Sequence, residues 1–138
     1  MTQIYLESSA VLTWMLGQSR ADDVRAAVDA ADVVATSSLT FAETDRALVR
    51  TEAERLMRAA DAQKLRGLLR RAKAGWVSMA VTEEVLERAG RPFPMEPVRT
   101  LHAIHLATAL VFTRAFPDLR ILTFDRRIAA NAQALGVS

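Results

Sequence analysis

Cysteine is absent from all 138 residues. That absence excludes a disulfide scaffold, a thiolate zinc site and a cysteine nucleophile together, and it suits a reducing compartment. Histidine is scarce, with two residues, so reactive chemistry here rests on oxygen and imidazole groups. No apolar run approaches the roughly 20 residues of a helical membrane span. The opening stretch MTQIYLESSAVLTWMLGQ lacks the basic start, apolar core and small-residue cleavage site of a secretory leader. Internal repeats, low-complexity tracts and linkers are also missing. With 51% hydrophobic and 25% charged residues, the expectation is one cytoplasmic domain over residues 1–138, without membrane association. A chain of this size buries roughly two thirds of its extended surface, enough for a core without staples.

Excess charge is also small: 18 basic against 16 acidic residues leave +2. Its distribution is uneven. Residues 1–50 and 76–97 are acidic on balance, whereas 51–75 and 98–138 are basic. Alternating blocks of this kind either steer a polyanion to one face or form ordinary solvated helix surface.

What is present is an alternation of strand-like and helix-like segments. Residues 3–6 (Gln-Ile-Tyr-Leu) form a β-prone run, followed by Ser8 and Ser9 as N-cap hydroxyls before Ala10-Val11-Leu12. A helix over 20–31, a strand over 33–36 and a third helix capped by Ser37 and Ser38 follow. Residues 52–73 are rich in Ala, Leu, Arg and Glu at close to helical spacing and read as a helical stretch ended by Gly75. A strand over 76–80, a helix capped by Thr82, a loop over 90–94, an apolar helix over 97–115, a strand over 120–124 and a final helix over 126–135 complete the pattern. The fold class is α/β with a parallel sheet and helices on both faces. In such folds ligands bind beyond the carboxyl ends of the strands. Glu7 and Asp125 each follow a predicted strand, and Glu43 lies near the start of the helix after the second strand. Three acids at one end repel one another unless a cation lies between them. A hard divalent ion with oxygen ligands would satisfy them, although helix caps and turn formers also occupy such positions.

Four segments carry a family resemblance: Ile4-Tyr5-Leu6-Glu7-Ser8-Ser9-Ala10, Leu39-Thr40-Phe41-Ala42-Glu43, Leu101 to Ala109 (LHAIHLATA) and Ile121-Leu122-Thr123-Phe124-Asp125-Arg126-Arg127. In order, they resemble the signature segments of PIN-domain ribonucleases, nearly end to end, and most closely the small VapC-type toxins. The resemblance implies a three-layer α/β/α fold with a central, mostly parallel sheet. It also implies an acidic cluster that binds Mg2+ or Mn2+ and orients water against an RNA phosphodiester. Further implications are a VapB-like antitoxin partner and a homodimer.

Carried over by position, the family's first acid falls on Glu7, the second on Glu43, the third on His102 and the fourth on Asp125. Two of the four depart from the pattern, because the first and third are normally Asp. No acid occurs from Pro97 to Pro117, so no shift along that helix supplies the missing carboxylate. His102 then acts either as a ligand with altered metal preference, since imidazole suits manganese and other transition ions better than magnesium, or as the mark of an impaired site. In the second case the protein is a weakened module working through antitoxin or RNA binding. A third arrangement has the His102 ring bonded to Glu43 or Asp125 without a metal, and His105 is expected to be structural. Ser9 and Thr123 match hydroxyls that flank the acids, and Arg46, Arg50, Arg126 and Arg127 are candidates for RNA phosphates. Trp14, Met15 and the Leu56 to Leu69 stripe are expected in the core or beside an antitoxin groove. A phospho-accepting receiver domain fits poorly, because no adjacent acidic pair follows the first strand and no lysine ends the last.

Overall fold

A computed structural model describes all of residues 1–138. Four strands, β1 (Gln3–Leu6), β2 (Val33–Ser37), β3 (Val77–Met79) and β4 (Arg120–Leu122), form one sheet in the order β3-β2-β1-β4. Every pairing is parallel, with Tyr5 opposite Ala35 on one side and Ile121 on the other. Seven helices connect and cover it: α1 (Ser8–Met15), α2 (Ala21–Ala30), α3 (Ser38–Ala53), α4 (Ala59–Lys73), α5 (Glu83–Ala89), α6 (Thr100–Phe112) and α7 (Arg126–Ala134).

Successive strand residues point to opposite faces, and this period of two sorts the core into two layers. Tyr5, Ala35 and Ile121 pack with Leu106, Ala109 and Phe112 of α6 and with Ile128 and Ala132 of α7. Ile4, Leu6 and Val34 pack on the other face with Val11, Val24, Leu48 and Leu69 of α1 to α4. The result is the three-layer α/β/α arrangement expected from the alternating pattern. Because β1 is flanked by β2 and β4, the strand order reverses between β1 and β4. Parallel α/β folds open their binding crevice at such a switch point.

Two local expectations are corrected. Helix α1 is capped by Glu7, not by a serine: its carboxylate accepts from the Ser9 amide at 2.7 and 3.2 Å. The 52–73 stretch is not continuous helix, because α3 ends at Ala53 and α4 begins at Ala59. Arg55 takes a left-handed conformation (φ 59°), and the Leu56 amide donates back to the Thr51 carbonyl at 3.0 Å. This is a Schellman-type ending built on a residue other than glycine, which explains why composition gave no sign of it.

One buried polar residue fixes the long loop before α6. Asn131 on α7 accepts from the Met95 amide (2.8 Å) and donates to the carbonyls of Met95 (3.1 Å) and Arg127 (3.0 Å). Asn131→Ala removes all three and leaves two loop groups unsatisfied. It is expected to lower unfolding free energy by about 2–3 kcal/mol, measured by urea denaturation.

Candidate active site

The crevice at the switch point is built from the ends of β1, β2 and β4. The Glu7 amide donates to the Leu122 carbonyl (3.2 Å), locking the end of β1 to β4. From there a hydroxyl network joins the two strand ends. Ser9 Oγ lies 3.3 Å from Thr123 Oγ1 and accepts from the Phe124 amide at 2.9 Å. Thr123 Oγ1 accepts from the Asp125 amide (3.0 Å) and donates to Glu7 at 3.4 Å. Glu7 and Asp125 are therefore held in a fixed relation by Ser9 and Thr123. Glu7 is only 2% exposed, its carboxylate engaged with the Ser9 amide.

Asp125 works in two directions. Oδ1 accepts from the Ile128 amide at 2.8 Å and caps α7, while Oδ2 lies 3.5 Å from His102 Nε2. His102 stands on the first turn of α6, and both side chains remain partly open to solvent. Glu43 is reached by the other histidine. His105, one helical turn beyond His102 and 1% exposed, places Nε2 2.5 Å from Glu43 Oε1 and Nδ1 2.7 Å from the Tyr5 hydroxyl. A carboxylate only accepts, so Nε2 carries the proton, and in the neutral ring Nδ1 accepts from Tyr5. Burial pushes the Tyr5 phenol well above its ordinary pKa, and the charges of Glu7 and Glu43 push it the same way. The phenol stays protonated and keys the imidazole. Sequence reasoning assigned His105 no part in the acidic site; the signal available was its spacing of one turn from His102, which puts both rings on one face of α6.

Oxygen and imidazole donors thus face one crevice, but no three of them form a ready-made metal-holding group. Glu7 caps a helix, Glu43 Oε1 is held by His105, and Asp125 Oδ1 caps another helix. Glu43 Oε2 and Asp125 Oδ2 remain outside those commitments, and the His102 ring lies beside Asp125. Nearby, Arg46, Arg50, Ser8, Leu101 and Glu43 line a cavity of about 400 Å³. Arg126 is exposed at the start of α7, whereas Arg127 lines a separate cavity with His102. Met15 is buried in the core, while Trp14 lines a third cavity of about 320 Å³ with Trp76, Val28 and Ala72.

These features define a parallel α/β protein whose switch-point crevice carries carboxylates braced by hydroxyls and imidazoles. The chain belongs to the PIN domain family, whose model matches residues 4–134. It is 36% identical over 139 residues to "Ribonuclease VapC46" of Mycobacterium tuberculosis (strain ATCC 25618 / H37Rv), covering all of this chain and 96% of that protein. Its fold is similar to the crystal structure of M. tuberculosis VapC20, described as a sarcin-ricin loop cleaving toxin. That match has a TM-score of 0.66 and 18% identity, and covers 93% of this chain and 94% of the other. No helix is long and apolar enough to cross a membrane.

Proposed function

We propose that this protein is a divalent-metal-dependent endoribonuclease, the toxin of a toxin-antitoxin pair, acting on RNA phosphodiesters as a homodimer bound by a VapB-like antitoxin. Similarity along the whole chain, at 36% identity, to a ribonuclease supports the class of reaction. The observation that carries the chemistry is the hydroxyl bridge tying the Glu7 carboxylate to the backbone of Asp125 at the switch point, beside the contact of Asp125 with His102.

The donor chemistry fits a divalent cation. Asp125 and His102, whose Oδ2 and Nε2 lie 3.5 Å apart, would hold it, and the carboxylates of Glu7 and Glu43 would add negative charge nearby. An imidazole among the donors favours Mn2+ over Mg2+. When bound, such an ion supplies Lewis acidity toward a phosphoryl oxygen and makes water a competent nucleophile near neutral pH. The chain's own residues do the rest. Ser9 and Thr123 tie the Glu7 carboxylate to the backbone of Asp125, and His105 orients Glu43. Arg46 and Arg50 offer guanidinium forks to RNA phosphates on one side of the crevice, and Arg126 does so at its rim. The cavity between Trp14 and Trp76 is the surface we assign to an apolar anchor of the antitoxin.

The test is cleavage of a defined RNA by the purified, partner-free protein. Activity is expected to be higher with Mn2+ than with Mg2+, to vanish with chelator and to return when Mn2+ is restored. His102→Asp is expected to move the preference toward Mg2+. Absence of cleavage with either ion would overturn the assignment.

A further inference from the structure

We propose that Arg99 and Arg127, with His102 on the inner wall, form a phosphate-binding pocket beside Asp125 that takes an RNA phosphate adjoining the one cleaved. The substrate named here rests on the ribonuclease reading; the pocket itself does not. A cavity of about 330 Å³ is lined by Pro97, Val98, Arg99, His102 and Arg127. Its two arginines come from different elements, one immediately before α6 and one on the first turn of α7.

Charge within the chain leaves both arginines unsatisfied. Arg20, Arg25, Arg58 and Arg114 each pair with an acid, whereas Arg99 and Arg127 make no ion pair or side-chain hydrogen bond. Two acids lie close enough in sequence to compete, and both are engaged elsewhere. Glu96 is folded into its own loop, accepting from the amides of Phe93 (2.7 Å) and Val98 (2.8 Å). Asp125 caps α7 through Oδ1 and lies 3.5 Å from His102 Nε2 through Oδ2, and it does not line the cavity. Two guanidinium groups on a concave surface with no opposing carboxylate fit a tetrahedral oxyanion, which they bind through paired N–H donors.

The backbone that carries the two arginines is held before any ligand arrives. Asn131 holds the Met95 backbone from both sides and donates to the carbonyl of Arg127 itself, tying the loop that carries Arg99 to the helix that carries Arg127. Glu96 braces the same loop from within. A backbone held in this way leaves only the two arginine side chains to be ordered on binding. Its position matters as much as its charge. A strand of RNA laid across Asp125 must present further phosphates on either side, and this cavity shares the His102 wall with the acidic crevice. Replacing a family carboxylate by His102 therefore has a second consequence, since an aspartate at that position would set a negative charge on the pocket wall.

The experiment compares wild type with the double variant Arg99→Gln, Arg127→Gln and with a charge-matched control on α4, Lys64→Gln, Arg70→Gln, in the full chain. The pocket variant is expected to raise KM for RNA about tenfold while kcat stays within about threefold. The salt dependence of its RNA affinity should become shallower by about 0.7 in log–log slope, the value for one phosphate contact on a single strand. The control should show neither change. In parallel, inorganic phosphate titrated into wild type should produce saturable NMR shifts of the Arg99 and Arg127 Nε–H signals and of the Val98 and His102 backbone amides, and in the pocket variant those two amides should not shift. Equal effects in both variants would reduce the result to net charge and overturn the pocket, as would phosphate shifts that never saturate. Saturable phosphate binding in a protein that cleaves no RNA would support the pocket and overturn the ribonuclease reading instead.

Discussion

Asp125→Asn is expected to reduce RNA cleavage by roughly 10²–10³-fold, the scale of losing one preorganised charge at a reacting centre, while leaving the protein folded. The separation is possible because the two oxygens of Asp125 have different work. Oδ1 caps α7 through the Ile128 amide at 2.8 Å, and asparagine caps a helix about as well as aspartate does. Oδ2 faces His102 and the crevice, and there asparagine brings no negative charge. Asp125→Ala removes both functions and adds a capping loss of about 1 kcal/mol. Measured side by side, the two variants should share the catalytic defect and differ in urea midpoint. If Asp125→Asn retained wild-type turnover, Asp125 would be a helix cap and nothing more.

Such a division of labour was only partly legible in the amino-acid sequence. Strand and helix alternation carried the fold class, and two acids after predicted strands, with a third near the start of the helix after the second strand, marked the crevice, because topology alone brings the ends of parallel strands together. Glu7 shows where local reading stops. A serine pair before an apolar run resembles an N-cap, but the longer Glu7 side chain reaches the Ser9 amide and takes that position. The partner of Glu43 was equally hidden. His102 was weighed against Glu43 or Asp125, and the fold places it beside Asp125, leaving Glu43 to His105 across 62 residues of sequence. The ending of α3 at Arg55 was invisible for a different reason: its left-handed residue is not glycine, so composition carries no trace of the break.

The largest effect on stability is expected at the buried line Tyr5–His105–Glu43. His105→Leu preserves much of the volume but leaves the Tyr5 hydroxyl and one Glu43 oxygen without a partner. It is expected to lower unfolding free energy by about 3 kcal/mol, discounted because Glu43 keeps some access to water. Cleavage should fall by about 10–100-fold, as when a ligand loses the group that orients it. Tyr5→Phe removes one hydrogen bond and should cost about 1–2 kcal/mol. In the double variant the losses should sum to less than the two singles, because both act through one imidazole. Alkaline pH offers an independent readout. The folded-state pKa of Tyr5 is raised by burial, so the unfolded chain releases this proton first. Stability from this group is then complete below the ordinary phenol pKa of about 10 and is lost as pH rises from there through the folded value. Tyr5 is the chain's sole tyrosine and there are only two lysines, so few other groups titrate in that window. Wild-type stability should therefore fall above pH ~10, and Tyr5→Phe should flatten that fall. A wild-type protein and a Tyr5→Phe variant with parallel stability curves through that range would mean that the phenol is not held in the buried, protonated state that keys His105.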